Sequence, residues 1–116
     1  MNSTLNSEKS VLDNNFQPAS MILQNHRFVA SKNHLYSNLN GKGVILSMKS
    51  ERYYGVNTVG AFIWEVIQKP ASYTDIQAKL MQEFDVDEEV CEQEVSSFLK
   101  KLMKEELVDI LDEKDL

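Results

Sequence analysis

The sequence predicts an α+β domain, a small three-stranded antiparallel sheet followed by three helices, the make-up of a winged helix-turn-helix. Three observations carry that reading. Short β-rich runs bounded by Asn, Gly and Ser clusters precede residue 57, and a helical apolar period takes over after it. The connections between helices are short, marked by Asn, Ser and Asp caps and one proline. With 116 residues and 42% hydrophobic composition, the chain is one domain able to build a core without disulfides.

Residues 1–19 are polar, with Leu5, Val11, Leu12 and Phe16 scattered rather than periodic, and read as a flexible N-terminal arm. The folded domain is expected over residues 20–111 and a flexible acidic tail over 112–116. A first strand is expected within Met21–Ala30, carried by Met21-Ile22-Leu23 and Arg27-Phe28-Val29-Ala30. Asn38–Gly43 is a turn cluster, because Asn and Gly tolerate positive φ. Val44–Met48 is a β-branched apolar strand, Lys49-Ser50-Glu51 turns the chain, and Arg52–Val56 returns as the third strand.

Asn57 is placed to cap a first helix whose buried face is Val59, Phe62, Ile63, Val66 and Ile67, with Trp64 one step aside covering its edge. Lys69-Pro70 ends it, since the residue before proline is pushed out of the helical region. Ser72-x-x-Asp75 opens a second helix in the manner of a capping box, ahead of Ile76, Leu80 and Phe84. Asp87 caps a longer third helix carrying Val90, Cys91, Val95, Phe98, Leu99, Leu102 and Met103. It ends near Glu106, before an apolar tail from Leu107 to Leu111.

Several function classes are disfavoured. Cys91 is the only cysteine, which removes disulfide and Cys-x-x-Cys chemistry, fits a reducing cytoplasm, and reads as a semi-buried helix residue. The Asn/Ser-rich start lacks a secretory pattern, and no apolar run is long enough to span a membrane. His26 and His34 stand without Cys, Asp or Glu at ligand spacing, so neither a metal nor another cofactor is expected. Gly41-Lys42-Gly43 is too short to cradle a phosphate. No nucleophile, base and orienting group form a recognisable set, so the chain reads as a non-enzyme.

The formal charge of −6 disfavours nucleic acid. The third helix, which would enter the major groove of DNA in a winged-helix protein, begins Asp87-Glu88-Glu89, and like charges at contact repel by ~1 kcal/mol each even in water. Its acids, with Lys100, Lys101 and Lys104 at the other end, instead complement the helix dipole.

The stretch Tyr53-Tyr54-Gly55-Val56-Asn57-Thr58-Val59-Gly60-Ala61-Phe62-Ile63-Trp64 resembles the PqqD-like family, the precursor-recognition elements of ribosomally made peptide natural products. The similarity continues through Tyr73-Thr74-Asp75-Ile76, Phe84–Val90, Phe98-Leu99-x-x-Leu102 and Leu107-Val108, about residues 40 to 111 in all. Val56 stands where the family often has Leu, and Glu106 where it often has Gly. The resemblance implies an adaptor that binds the leader segment of a precursor peptide and presents it to a leader peptidase or other modifying enzyme. Lasso-peptide biosynthesis is the first setting it suggests, and radical-SAM modification another. The leader would add as an antiparallel strand to Arg52–Val56 and lie in a groove against the third helix.

That mode agrees with the residues themselves, because a three-stranded sheet leaves two edges open to another strand, including a second copy of the chain as a homodimer. The expected peptide-binding residues are Arg52, Tyr53, Tyr54, Gly55 and Val56 on the edge, with Val95 and Phe98 joining Tyr54 and Val56 as walls and Glu94, Ser97 and Lys101 at the rim. Strand facing stays open, because a shift of one residue exchanges Tyr53 with Tyr54. The alternative reading is an acidic winged-helix regulator or protein-interaction module.

Overall fold

The hairpin expected around Lys49-Ser50-Glu51 forms, but as the second half of a three-stranded meander. In the computed structural model, which describes residues 26–112, β1 (His26–Ala30) is followed by β2 (His34–Leu39), β3 (Lys42–Ser47) and β4 (Arg52–Val56). Then come α1 (Thr58–Val66), β5 (Ala71–Ser72), α2 (Tyr73–Glu83), α3 (Glu88–Lys104) and β6 (Val108–Asp112). The arm read over residues 1–19, the first half of the strand expected from Met21, and the last four residues of the acidic tail lie outside the described residues.

Two antiparallel sheets of three strands replace the single sheet expected. One has the order β2-β3-β4, with Tyr36 and Tyr54 both opposite Ile45. The other has the order β5-β1-β6, with Phe28 opposite Ala71 on one side and Ile110 on the other. Consequently β1 does not belong to the sheet of the hairpin, and Arg52–Val56 is the fourth strand of the described residues. The strand the sequence hid is β2, whose run His-Leu-Tyr-Ser-Asn-Leu is half polar. Its pairing is enforced by a two-residue turn, Asn40-Gly41, with φ of 57° and 80°, the positive pair that tight hairpins require. The apolar tail also becomes a strand, β6, because β1 offers it a free edge.

Each helix starts where its cap was placed. Asn57, Ser72 and Asp87 accept from the backbone N–H of Gly60, Asp75 and Val90 at 2.8, 3.0 and 2.8 Å. The third helix ends at Glu105 in a Schellman-type turn: Glu106 N–H donates to Met103 O at 3.1 Å and Leu107 N–H to Leu102 O at 2.8 Å, with Glu106 at φ 59°.

Phe28, Ile45, Ile63, Trp64, Tyr73, Ile76, Val95 and Leu99 meet in one core between the helices and both sheets. Trp64 is wholly buried rather than covering a helix edge, because β2 brings His34 edge-on to it at 4.9 Å and Tyr36 beside it at 6.2 Å. Cys91 is likewise fully buried rather than half exposed, and burial pushes its thiol pKa up. Val90, one of the apolar residues of the third helix, is exposed. No helix of the described residues is long and apolar enough to cross a membrane, and no cluster of His, Cys, Asp and Glu among them could hold a metal.

Candidate functional site

Among the described residues β4 is an edge strand: it pairs there with β3 alone, so its other side presents backbone groups that no described strand pairs. That side looks onto α3 across a cleft of about 660 Å³. Tyr53, Tyr54, Gly55, Val56 and Asn57 form one wall, Phe98, Lys101, Leu102, Lys104 and Glu105 the other, and Ile45 and Leu107 complete the lining. A smaller depression of about 90 Å³ shares Asn57, Phe98 and Lys101 with it, and adds Glu94, Ser97, Val59, Gly60 and Ile63. A separate hollow of about 540 Å³ beside Ser31 and Lys49 has no aromatic wall.

Register decides which tyrosine faces where. Tyr54 pairs with the fully buried Ile45 and shares its face, whereas Tyr53 pairs with Leu46 and is exposed. The Tyr54 hydroxyl donates to Glu105 Oε1 at 2.7 Å, and the same oxygen lies 3.8 Å from Arg52 Nη1. Glu105 therefore ties β4 to the last turn of α3 and holds one end of the cleft at a set width. At the opposite end Asn57 caps α1, and Gly60 sits so close to Phe98 that an added Cβ would lie 3.1 Å from Phe98 Cε1 and 3.3 Å from Val56 Cβ. The Asn-x-x-Gly spacing thus sets the helix start and lets the Phe98 ring reach the strand.

Most of the expected residues converge here. Tyr53, Tyr54, Gly55, Val56, Phe98 and Lys101 line the main cleft, and Glu94 and Ser97 line its smaller extension. Two are placed otherwise. Val95 is wholly buried in the core and forms no wall, because its position on α3 points toward Ile63 and Tyr73's cluster rather than β4. Arg52 is absent from the lining and acts through Glu105. The lining residues of the main cleft that sequence reasoning missed are Ile45, Asn57, Leu102, Lys104, Glu105 and Leu107. Leu102 and Glu105 lie four and seven positions after Phe98, so helical spacing from that one residue would have found them.

The fold is shared with three solved structures. "TbiB1 in Complex with the TbiA(beta) Leader Peptide" is 23% identical, with a TM-score of 0.64 over 70% of this chain and 94% of that one. "Lasso peptide synthetase B1 complexed with the leader peptide" is 18% identical, with a TM-score of 0.61 over 71% and 96%. The PqqD truncation of Methylobacterium extorquens PqqCD, described as a functional stand-alone recognition element for ribosomally synthesised and post-translationally modified peptides, is 14% identical, with a TM-score of 0.59 over 72% and 88%. No curated protein matches the sequence. The profile described as "Coenzyme PQQ synthesis protein D (PqqD)" matches residues 42–108, a span that holds every residue of the cleft, and the chain belongs to that family.

Proposed function

We propose that this chain is a non-enzymatic adaptor that captures the leader segment of a precursor peptide by strand addition at β4 and presents it to a leader peptidase or other modifying enzyme. The observation that carries this reading is a strand edge, unpaired among the described residues, facing a cleft with apolar walls and a charged rim, two features that suit an extended peptide together and a globular substrate poorly. The solved structures of like fold that hold leader peptides support it, and the lasso peptide synthetase among them favours a lasso-peptide setting, in the cytoplasm where precursors are made.

Energetics require both features. A five-residue edge offers about four to six outward backbone bonds worth ~1 kcal/mol each, whereas micromolar affinity needs ~8 kcal/mol and the ordering of a free peptide opposes binding. Two leader side chains buried between Tyr54, Val56, Phe98 and Leu102 at ~1.5 to 3 kcal/mol each supply the difference. Lys101 and Lys104 at the rim of the α3 wall suit carboxylates in the leader.

Calorimetric titration with the leader half of the precursor encoded beside the protein tests the reading. Saturable one-to-one binding with a negative heat-capacity change is expected, and Phe98→Ala should weaken it tenfold or more. Absence of heat and of NMR shifts at high concentrations of that leader would count against it.

A further inference from the structure

The hollow of about 540 Å³ beside Ser31 and Lys49 lies outside the leader cleft, yet it repeats that cleft's pairing of a strand edge with a lined depression. One of its walls is β6, and among the described residues β6 pairs with β1 alone. Ser31 N–H donates to Leu107 O at 3.0 Å, continuing the register of β1 with β6 by one residue. That bond fixes the phase of the ladder: Leu107, Asp109 and Leu111 turn their backbone groups to β1, whereas Val108 and Ile110 direct theirs outward. The outer edge of β6 is therefore a second template for an added strand.

Ile110 stands opposite Phe28 and so shares the core-facing side of that sheet. Phe28 is fully buried, whereas Ile110 is 45% exposed and lines the hollow with Met103, Leu107 and Val108. An apolar side chain on the covered side of a sheet is thus left half bare, with no described element over it. Lys32, Lys49, Glu106 and Asp109 give the hollow both signs of charge, which disfavours a strongly charged ligand and suits an extended, mostly neutral segment.

The hollow meets the leader cleft end to end. Leu107 lines both, and a depression of about 270 Å³ at Lys49 and Glu106 shares Lys104 and Glu105 with the cleft and Ser47 with the hollow. The junction falls at the Arg52 end of β4, where Glu105 meets Arg52 and Tyr54. Antiparallel pairing is the more stable per residue, so a leader strand on β4 runs from Val56 toward Arg52, and its C-terminal continuation leaves the cleft at that junction. Resting on the leader-binding reading, we propose that the outer edge of β6 and its hollow form a second peptide subsite. It takes the part of the precursor C-terminal to the segment on β4, in extended form and with an apolar residue over Ile110. Held at two points, the precursor offers the enzyme a set length of chain, and each contact raises the effective concentration for the other.

The test uses the full chain and two synthetic peptides: the whole leader of the precursor encoded beside the protein, and the same leader cut after the segment that protects β4. Both should slow hydrogen exchange on β4. The whole leader alone should slow it at the Ile110 amide, tenfold or more, and should bind tenfold or more tighter by calorimetry. Ile110→Glu, outside the cleft, should remove that gain and leave the short leader within twofold of its wild-type affinity. Should this variant lose its circular-dichroism spectrum, exchange in the wild type carries the test. Equal rates at Ile110 with either leader, or equal affinities, overturn the second subsite alone. So does protection of the Ile110 amide in the free chain, or protection that grows with protein concentration, because the edge would then belong to another segment of this chain or to a second copy. Failure of both leaders to bind overturns the adaptor reading itself.

Discussion

Glu106 follows the α3 cap at φ 59°, a left-handed conformation that glycine adopts freely and a side chain with a Cβ does not. Its carboxylate pairs with Lys49, whose hydrogen bond and charge hold the Glu106 pKa below its ordinary value. The folded pKa being depressed, the contribution of the pair is present above the unfolded pKa and lost as pH falls through the folded one. Both groups are largely exposed, so the pair contributes little and the backbone strain outweighs it. Glu106→Gly is expected to raise the urea midpoint by roughly a few tenths molar at pH 7 and by more in acid; a lower midpoint at pH 7 with a higher one in acid would show the ion pair to be the larger effect, and a lower midpoint in acid would rule out the backbone strain. Gly60 poses the opposite case, where the missing side chain makes room for Phe98. The motif that carries the family resemblance is thus a packing constraint that also shapes the cleft.

At the scale of elements, β4 is the critical piece, because it joins the sheet to the cleft and belongs to both faces. In an antiparallel edge strand, alternate residues direct their N–H and C=O away from the partner strand. Leader addition should therefore slow hydrogen exchange at alternate amides within Arg52–Val56 by tenfold or more, while the other edge strand, β2, keeps its rates. Equal protection of β2 and β4, or none at β4, would reject strand addition there. The position of β4 at an edge was legible in the sequence from the hairpin signals alone. The presence of β2 was not, since its leucines face solvent and the rings on its other side, His34 and Tyr36, find their aromatic partner only in Trp64, some thirty residues away along the chain. With β2 hidden, Trp64 was read as an edge cover and β1 was given a place in a sheet to which it does not belong.

For the whole molecule, the core joins helices, hairpin and β1 into one unit, and Tyr73 reports on it. Its ring is fully buried and its hydroxyl donates to Glu92 O at 3.2 Å. Burial, then the charge of Glu92, raises the phenol pKa from 10.0 to about 12. Between those values the folded chain keeps a proton that the unfolded chain releases. The stability from this group is intact below pH 10 and is lost as pH climbs through about 12. Urea midpoints measured across that window should fall in the wild type and fall less steeply in Tyr73→Phe, which should cost ~1 kcal/mol at pH 7 for the lost hydrogen bond. Parallel slopes would place the alkaline transition elsewhere.

Local signals determined a great deal: the three helix starts, the β3–β4 hairpin, and the motifs that carry the family resemblance. Each depends on residues near one another in the chain, where capping groups, turn formers and helical period act directly. Tertiary structure alone decided the division into two sheets, the inward face of Tyr54 against the outward face of Tyr53, the burial of Val95 away from the cleft, and the Glu105 tie. These depend on contacts between segments tens of residues apart. A period-two pattern cannot choose its face, and a helix cannot choose which of its apolar residues meets a strand, until the opposing surface is in place.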